Sequence, residues 1–179
     1  MSMNRFSPAL TSKQSIAWDA IHRDDIKEIL YGGAKGGGKS VFGCLWCFSR
    51  ALQIIKQCHI KPQKHPIPIG FMGRKRSVDF TNTTLETWKR FIPHDLYKIR
   101  GKPADIIIAD RVKILTGGLD NSDVVRKFNS AEYAFFFIDQ AEEVDASQIG
   151  ELRATFRLII NGKRFPARAC LLQIPPHPF

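Results

Sequence analysis

GAKGGGKS, residues 33–40, is a complete G-x-x-x-x-G-K-[ST] phosphate loop, and its flanks decide the fold. Before it runs KEILYG (Lys27 to Gly32), a short apolar strand ending in glycine. After it runs VFGCLWCFSRALQII (Val41 to Ile55), long and apolar enough for a helix packed on a sheet. Strand, glycine loop and helix in this order turn a row of backbone N–H groups toward one point, backed by the positive end of the helix dipole. Gly33, Ala34, Lys35, Gly36, Gly37 and Gly38 make the cradle, its glycines leaving no β-carbon in the way of a β-phosphate. Lys39 reaches toward β/γ-phosphates and Ser40 offers its hydroxyl to Mg²⁺. The expected ligands are a nucleoside triphosphate and Mg²⁺.

Outward from the loop, the chain reads as alternating elements. Thr11 to His22 is expected to be a helix, because T-S-K-Q fits a capping box with Thr11 at N-cap and Gln14 at N3. Lys27 to Gly32 is the first strand, and Gly38 to about Lys56 the helix after the loop. Cys58 to Pro68 is a basic, proline-rich connection. Ile67 to Gly73 reads as a second strand and Ser77 to Phe91 as a second helix. Ile106 to Gly118 reads as a hairpin turning at Asp110-Arg111, and Tyr133 to Asp139 as a buried apolar strand. Asp145 to Ile160 is expected to be an amphipathic helix with Ile149, Leu152, Phe156 and Ile159 on one face. Ala169 to Ile174 closes the series as a strand. This alternation predicts an α/β fold, a mainly parallel sheet with helices on both faces.

Composition narrows the partners. The 179 residues are 44% apolar and 11% aromatic, which suits a folded globule and not a disordered tail. Net charge is +10, and from Arg50 to Lys102 twelve Lys/Arg face only Asp79, Glu86 and Asp95. Such an excess suits a polyanion bound without regard to sequence. No apolar stretch reaches the ~18 residues of a membrane span and no signal peptide opens the chain, so a cytosolic setting without membrane contact is expected. Cys44 and Cys47, with Cys58-His59 following, have zinc-like spacing. The first two, however, fall inside the helix on its sheet-facing side, where buried free cysteine is common.

AFFFIDQAEEV, Ala134 to Val144, is the second functional anchor. An apolar strand ending in Asp139 matches a Walker B strand, whose carboxylate lies at the carboxyl end of the sheet beside the loop serine and holds Mg²⁺. Asp139 lies one hundred residues beyond Lys39, with the Ile67 to Gly73 strand between them in sequence, leaving room for the inserted strand of motor-type (ASCE) ATPases. There a carboxylate just after the aspartate polarises the attacking water. Here that residue is Gln140, whose amide orients water but cannot take its proton. Glu142 is the first candidate for the carboxylate, Glu143 the next, and Gln140 itself a third, acting as a glutamine does in some GTPases. A fourth reading is a version that binds ATP and scarcely hydrolyses it.

These motifs resemble the ATPase domain of the large terminase subunit of tailed bacteriophages. The resemblance rests on LTSKQ (Leu10 to Gln14), LYGGAKGGGKS (Leu30 to Ser40), GFMGRKRSVDFTNTTLETWKRFIP (Gly70 to Pro93), KFNSAEYAFFFIDQAEEV (Lys127 to Val144) and ELRATFR (Glu151 to Arg157). It implies a P-loop NTPase of ASCE type that hydrolyses ATP to drive duplex DNA into a procapsid. Implied partners are a portal protein, a small terminase subunit and further copies in a ring, in the host cytoplasm. It further implies that Gln14 reads the adenine edge, against its own reading as the capping-box N3 residue. Lys35 stands where terminases usually place an arginine on the γ-phosphate, and Arg74 matches a basic position near the nucleotide. Arg126 or Arg157 would be the trans-acting arginine. Residues 1–179 would then be the ATPase domain alone, truncated, with Pro175-Pro176 where a coupling motif would stand and the family's nuclease domain absent. Another ASCE motor such as a helicase, or a binding-only relic, are the alternatives.

Overall fold

The computed structural model of the protein describes residues 9–34, 36–120 and 130–173. Helix α1 (Ser12–His22) leads into β1 (Glu28–Gly32), the phosphate loop and α2 (Lys39–Gln57). Strand β2 (Ile67–Arg74) follows, then a helical run of α3 (Ser77–Asp79), a π-helical turn (Phe80–Thr84) and α4 (Leu85–Phe91). Strands β3 (Tyr97–Arg100), β4 (Asp105–Ile108) and β5 (Val112–Gly118) come next. Beyond residue 130 lie β6 (Phe135–Ile138), α5 (Ala146–Ala154), β7 (Ile159–Ile160), β8 (Lys163–Arg164) and β9 (Arg168–Gln173). Seven strands form one sheet in the order β1-β9-β6-β2-β5-β4-β3. The first five are mutually parallel, and β4 and β3 add an antiparallel edge.

Strand β6, FFFI, is sandwiched between β9 and β2 and fully buried. Its side chains alternate as the pleat demands. Phe135 and Phe137 join one core with Phe42, Trp46, Phe48 and Trp88 from α2 and α4, while Phe136 and Ile138 join a second core with Ile149 and Leu152 of α5. Two glycines admit the rings on the first face. A β-carbon on Gly43 of α2 would sit 2.3 Å from Phe137, and one on Gly70 of β2 2.6 Å from Phe135.

Several sequence expectations are corrected. The strand inserted between β1 and β6 is β9, not the Ile67 to Gly73 strand, which pairs on the other flank of β6. The hairpin turns one residue earlier than expected, because Ala109 and Asp110 take the left-handed conformation (φ 52° and 53°). Helix α5 ends at Ala154, not near Ile160. Thr155 Oγ1 donates to Leu152 O at 2.6 Å and Thr155 O accepts from Tyr133 N at 2.8 Å, so the chain leaves the helix to meet the start of β6. Ile159 then lies 59% exposed in β7, and Asn161-Gly162, at φ 51° and 73°, makes the two-residue turn to β8. Strand β3 was not anticipated.

One buried cation fixes α1 to the sheet. Arg168, 4% exposed, donates from Nη1 to the carbonyls of Ile21 (2.6 Å), Arg23 (2.6 Å) and Ile26 (2.5 Å). Those oxygens are the free carbonyl end of α1 and the turn after it, where a cation is favoured.

Gly43→Ala tests the helix–sheet contact. Alanine favours helix by about 1 kcal/mol, yet the added carbon meets a ring with no room to retreat, and overpacking costs about 1–3 kcal/mol. Net destabilisation is expected in urea unfolding; a rise in midpoint would show that Phe137 yields freely.

Candidate nucleotide-binding site

The carboxyl ends of β1, β9, β6 and β2 surround a cavity of about 480 Å³ lined by the phosphate loop, Arg74, Asp139 and Gln140. In the loop, Gly36 (φ 79°) and Gly38 (φ 70°) adopt the left-handed conformation, which glycine takes without steric cost. Gly38 is the N-cap of α2 and has no side chain to cap with, so the first N–H groups of that helix are left for an anion. Lys39 Nζ donates to Gly33 O (2.8 Å) and Ala34 O (2.7 Å), lying along the inside of its own loop.

Ser40 and Asp139, ninety-nine residues apart, meet at 2.8 Å, the Ser40 hydroxyl donating to Asp139 Oδ2. The same oxygen accepts from Thr84 Oγ1 at 2.7 Å. Asp139 is 5% exposed and its N–H donates to Gly73 O, locking the end of β6 to β2. Thr84, fully buried, was not singled out from the sequence; its place in the π-helical turn, a geometry that often marks functional sites, is not visible in the chain's periodicity.

Gln140 follows in the left-handed region (φ 54°, ψ 58°), a conformation that costs a non-glycine residue roughly 1 kcal/mol or more. It lines the cavity, and its Oε1 is buried without a partner among the described residues. Glu142 and Glu143 lie on the single 3₁₀ turn Ala141–Glu143. Glu143 accepts from Arg74 Nη2 at 3.5 Å; both Glu142 and Glu143 are exposed, and neither is among the residues lining the cavity. Arg74, 8% exposed, also donates from Nη1 to Thr83 Oγ1 at 3.0 Å. Arg90 and Phe91, at the end of α4, form part of the cavity rim and were missed in the sequence. Arg157 is exposed beyond α5, near the amino-terminal start of β6 and across the sheet from the loop. Lys35 and Arg126 lie outside the described residues.

Gln14 is engaged at both heavy atoms of its amide. Its Oε1 accepts from Thr11 N at 2.9 Å, completing the capping box, and its Nε2 donates to Gly38 O at 2.8 Å. A β-carbon on Gly38 would lie 2.9 Å from that Nε2 and would push the amide aside, adding to the preference for glycine that φ 70° already sets. The geometry makes Gln14 a strut between α1 and the phosphate loop.

The cysteines Cys44, Cys47, Cys58 and Cys170 are free and buried, and burial raises the Cys44 and Cys47 thiols well above their ordinary range. Among the described residues no three His, Cys, Asp or Glu side chains gather as a metal cluster. No helix among them is long and apolar enough to cross a membrane.

If Gln14 is a strut, Gln14→Ala should weaken binding of ATP, GTP and tripolyphosphate together. The loss is about fivefold, matching about 1 kcal/mol for one hydrogen bond. Titration with each ligand checks this; selective loss of ATP over GTP would assign the amide to the base instead.

No protein-family model matches the chain, and no curated protein does. Solved structures do. The large terminase of a thermophilic bacteriophage superposes at TM-score 0.67 with 12% identity, over 93% of this chain and 39% of that one. The large terminase of bacteriophage HK97 gives 0.62 and 9%, over 93% and 33%. The N-terminal domain of the DNA packaging ATPase from bacteriophage phi29 gives 0.55 and 13%, over 92% and 78%. The chain thus spans about two fifths or less of the full-length terminases it matches. At such identity the likeness is one of fold: the mostly parallel seven-stranded α/β architecture is shared with phage large terminases and a DNA packaging ATPase.

Proposed function

We propose that residues 1–179 are the ATPase domain of a phage DNA-packaging motor, hydrolysing ATP to move duplex DNA. The reading extends to a ring of copies working with a portal protein and a small terminase subunit in the host cytoplasm. The observation that carries it is the meeting of Ser40 with Asp139 beside the phosphate loop, on a sheet where β9 separates β1 from β6. The solved neighbours add support: they are named as large terminases and a packaging ATPase, and the thermophilic phage protein was solved with ATP-γ-S and with ADP.

The loop N–H groups and the α2 N-terminus bind the β-phosphate, and Lys39 exchanges its two loop carbonyls for β/γ-oxygens in charge-assisted bonds. The hydroxyls of Ser40 and Thr84 and the Asp139 carboxylate are hard oxygen donors of the kind Mg²⁺ takes. A bound Mg²⁺ would neutralise charge building on the phosphate oxygens. Arg74 places its guanidinium in the same cavity. Water attacks the γ-phosphorus as the bond to the ADP oxygen breaks; Gln140 orients that water through its amide. Of the two glutamates, both exposed, we assign Glu143 to take the proton, because it is the one that contacts Arg74, a residue of the cavity lining.

A second reading is a nucleotide-binding protein with little turnover, favoured by Gln140 standing where motor ATPases carry a glutamate. Phosphate release with and without duplex DNA separates the two, since a motor turns over faster with DNA bound.

In that assay Lys39→Ala should abolish ATP binding. Asp139→Asn should keep the fold, weaken the Mg²⁺ requirement and remove most turnover. Glu143→Gln should bind ATP normally and lose about 10²-fold in rate, the scale of a general base, while Glu142→Gln stays near the parent. The reverse order of the two glutamates would return the role to Glu142; a silent parent that Gln140→Glu awakens would favour the binding-only reading.

A further inference from the structure

Helix α2 has nineteen residues and at about 1.5 Å per residue runs about 28 Å. It carries the chain from the phosphate loop to the opposite, amino-terminal edge of the parallel strands. There the last turns of α2, the segment leading to β2 and the residue before β5 enclose a second cleft, of about 620 Å³. Its ionisable lining is Lys56, His59, Lys61 and Arg111, with no aspartate or glutamate. Lys56, His59 and Lys61 are exposed, and none of the ion pairs among the described residues uses Lys56, Lys61 or Arg111. Arg111 is half-buried, and its Nε is buried with no hydrogen-bond partner among the described residues. The nearest acid in sequence, Asp110, is held by Lys98 at 2.6 Å.

A helix carboxyl end ordinarily repels anions through its free carbonyls. Here those carbonyls are occupied. Ile54 O accepts from Cys58 N, Ile55 O from Ile60 N, Lys56 O from His59 N, and Gln57 O from Lys163 Nζ at 3.1 Å. With the carbonyl dipoles paired off, the uncompensated lysines and arginine set the sign of the cleft.

We infer that this cleft binds the phosphate backbone of duplex DNA, at a site separate from the nucleotide site and joined to it by α2. Three cations gathered in one cleft with no counter-charge among the described residues call for an anion. An open groove lined by no Phe, Tyr or Trp offers no platform for the stacked bases of a single strand, so the contact is with the backbone and is blind to sequence. The choice of DNA as the polyanion rests on the motor reading; the cleft and its charge do not.

The test is fluorescence anisotropy of a labelled duplex with the whole chain, without nucleotide, across a salt series. Lys56→Ala/Lys61→Ala/Arg111→Ala should weaken binding and reduce the slope of log K against log salt by about 2.7, at about 0.9 per phosphate contact. Binding of a fluorescent ATP analogue to the same variant should stay at the parent's level, which also reports that it is folded. Should the Arg111 change disturb folding, Lys56→Glu/Lys61→Glu alters exposed positions alone and should lower duplex affinity further per residue. A labelled single strand should bind more weakly than the duplex. If the parent binds duplex and both variants match it in affinity and slope, the cleft assignment is wrong and the motor reading is untouched. A parent that binds ATP but no duplex overturns the cleft assignment and the motor reading together.

Discussion

One oxygen, Oδ2 of Asp139, ties the site together. It accepts from Ser40 at the head of α2 and from Thr84 in the π-helical turn, while the backbone of the same residue bonds to β2. Two elements distant in sequence thereby share one buried acceptor, and the same residue's N–H ties it to a third. A carboxylate at 5% exposure is costly to desolvate unless its lone pairs are taken, and two hydroxyls meet part of that need. The arrangement stands only where β6 is central, because an edge strand would leave the aspartate in water. Parallel pairing with β9 and β2 supplies that position.

The loop is braced from the other side by α1. Arg168 gathers the carbonyls that follow α1, and the capping box closes its start, so Gln14 reaches Gly38 from a helix held at both ends. The strut touches the residue whose left-handed backbone launches α2. Gln14 thus links α1 to the phosphate loop directly, through one hydrogen bond to a carbonyl, beside the core contacts that Ile21 and Trp18 make with α2.

Much of this was legible in the chain. The loop motif, the run from Tyr133 to Asp139 and the capping box at Thr11 are local patterns with one geometry each, and the elements they name lie where expected. What escaped is non-local or needs backbone detail. Which strand separates β1 from β6 depends on crossovers that no short window contains. The π-helical turn that aims Thr84 inward breaks the period on which helix faces are read. The turn at Asn161-Gly162 was readable, since that dipeptide between apolar and basic pairs is a hairpin signal. The apolar spacing through Ile159 masked it, a helical period running past the true helix end. For Gln14, capping box and nucleotide contact were set as rivals for one amide; the structure engages both heavy atoms, one in the box and one on the loop.

The substitution at position 140 has an electrostatic logic of its own. The residue after Asp139 is forced into a left-handed turn that presses its side chain into the cavity, with a terminal oxygen buried and unpartnered. A glutamate there would put a second carboxylate beside Asp139, and like charges repel more strongly where water is excluded. Glutamine keeps the reach and removes the charge. Three residues on stands Glu143, half-exposed, where Arg74 meets it at 3.5 Å. That pair is long and open to solvent on the glutamate side, so it is weak and separable. Arg74 also holds Thr83, in the turn that carries Thr84. A phosphate that drew Arg74 away would at one stroke free a carboxylate and loosen the turn whose hydroxyl rests on Asp139.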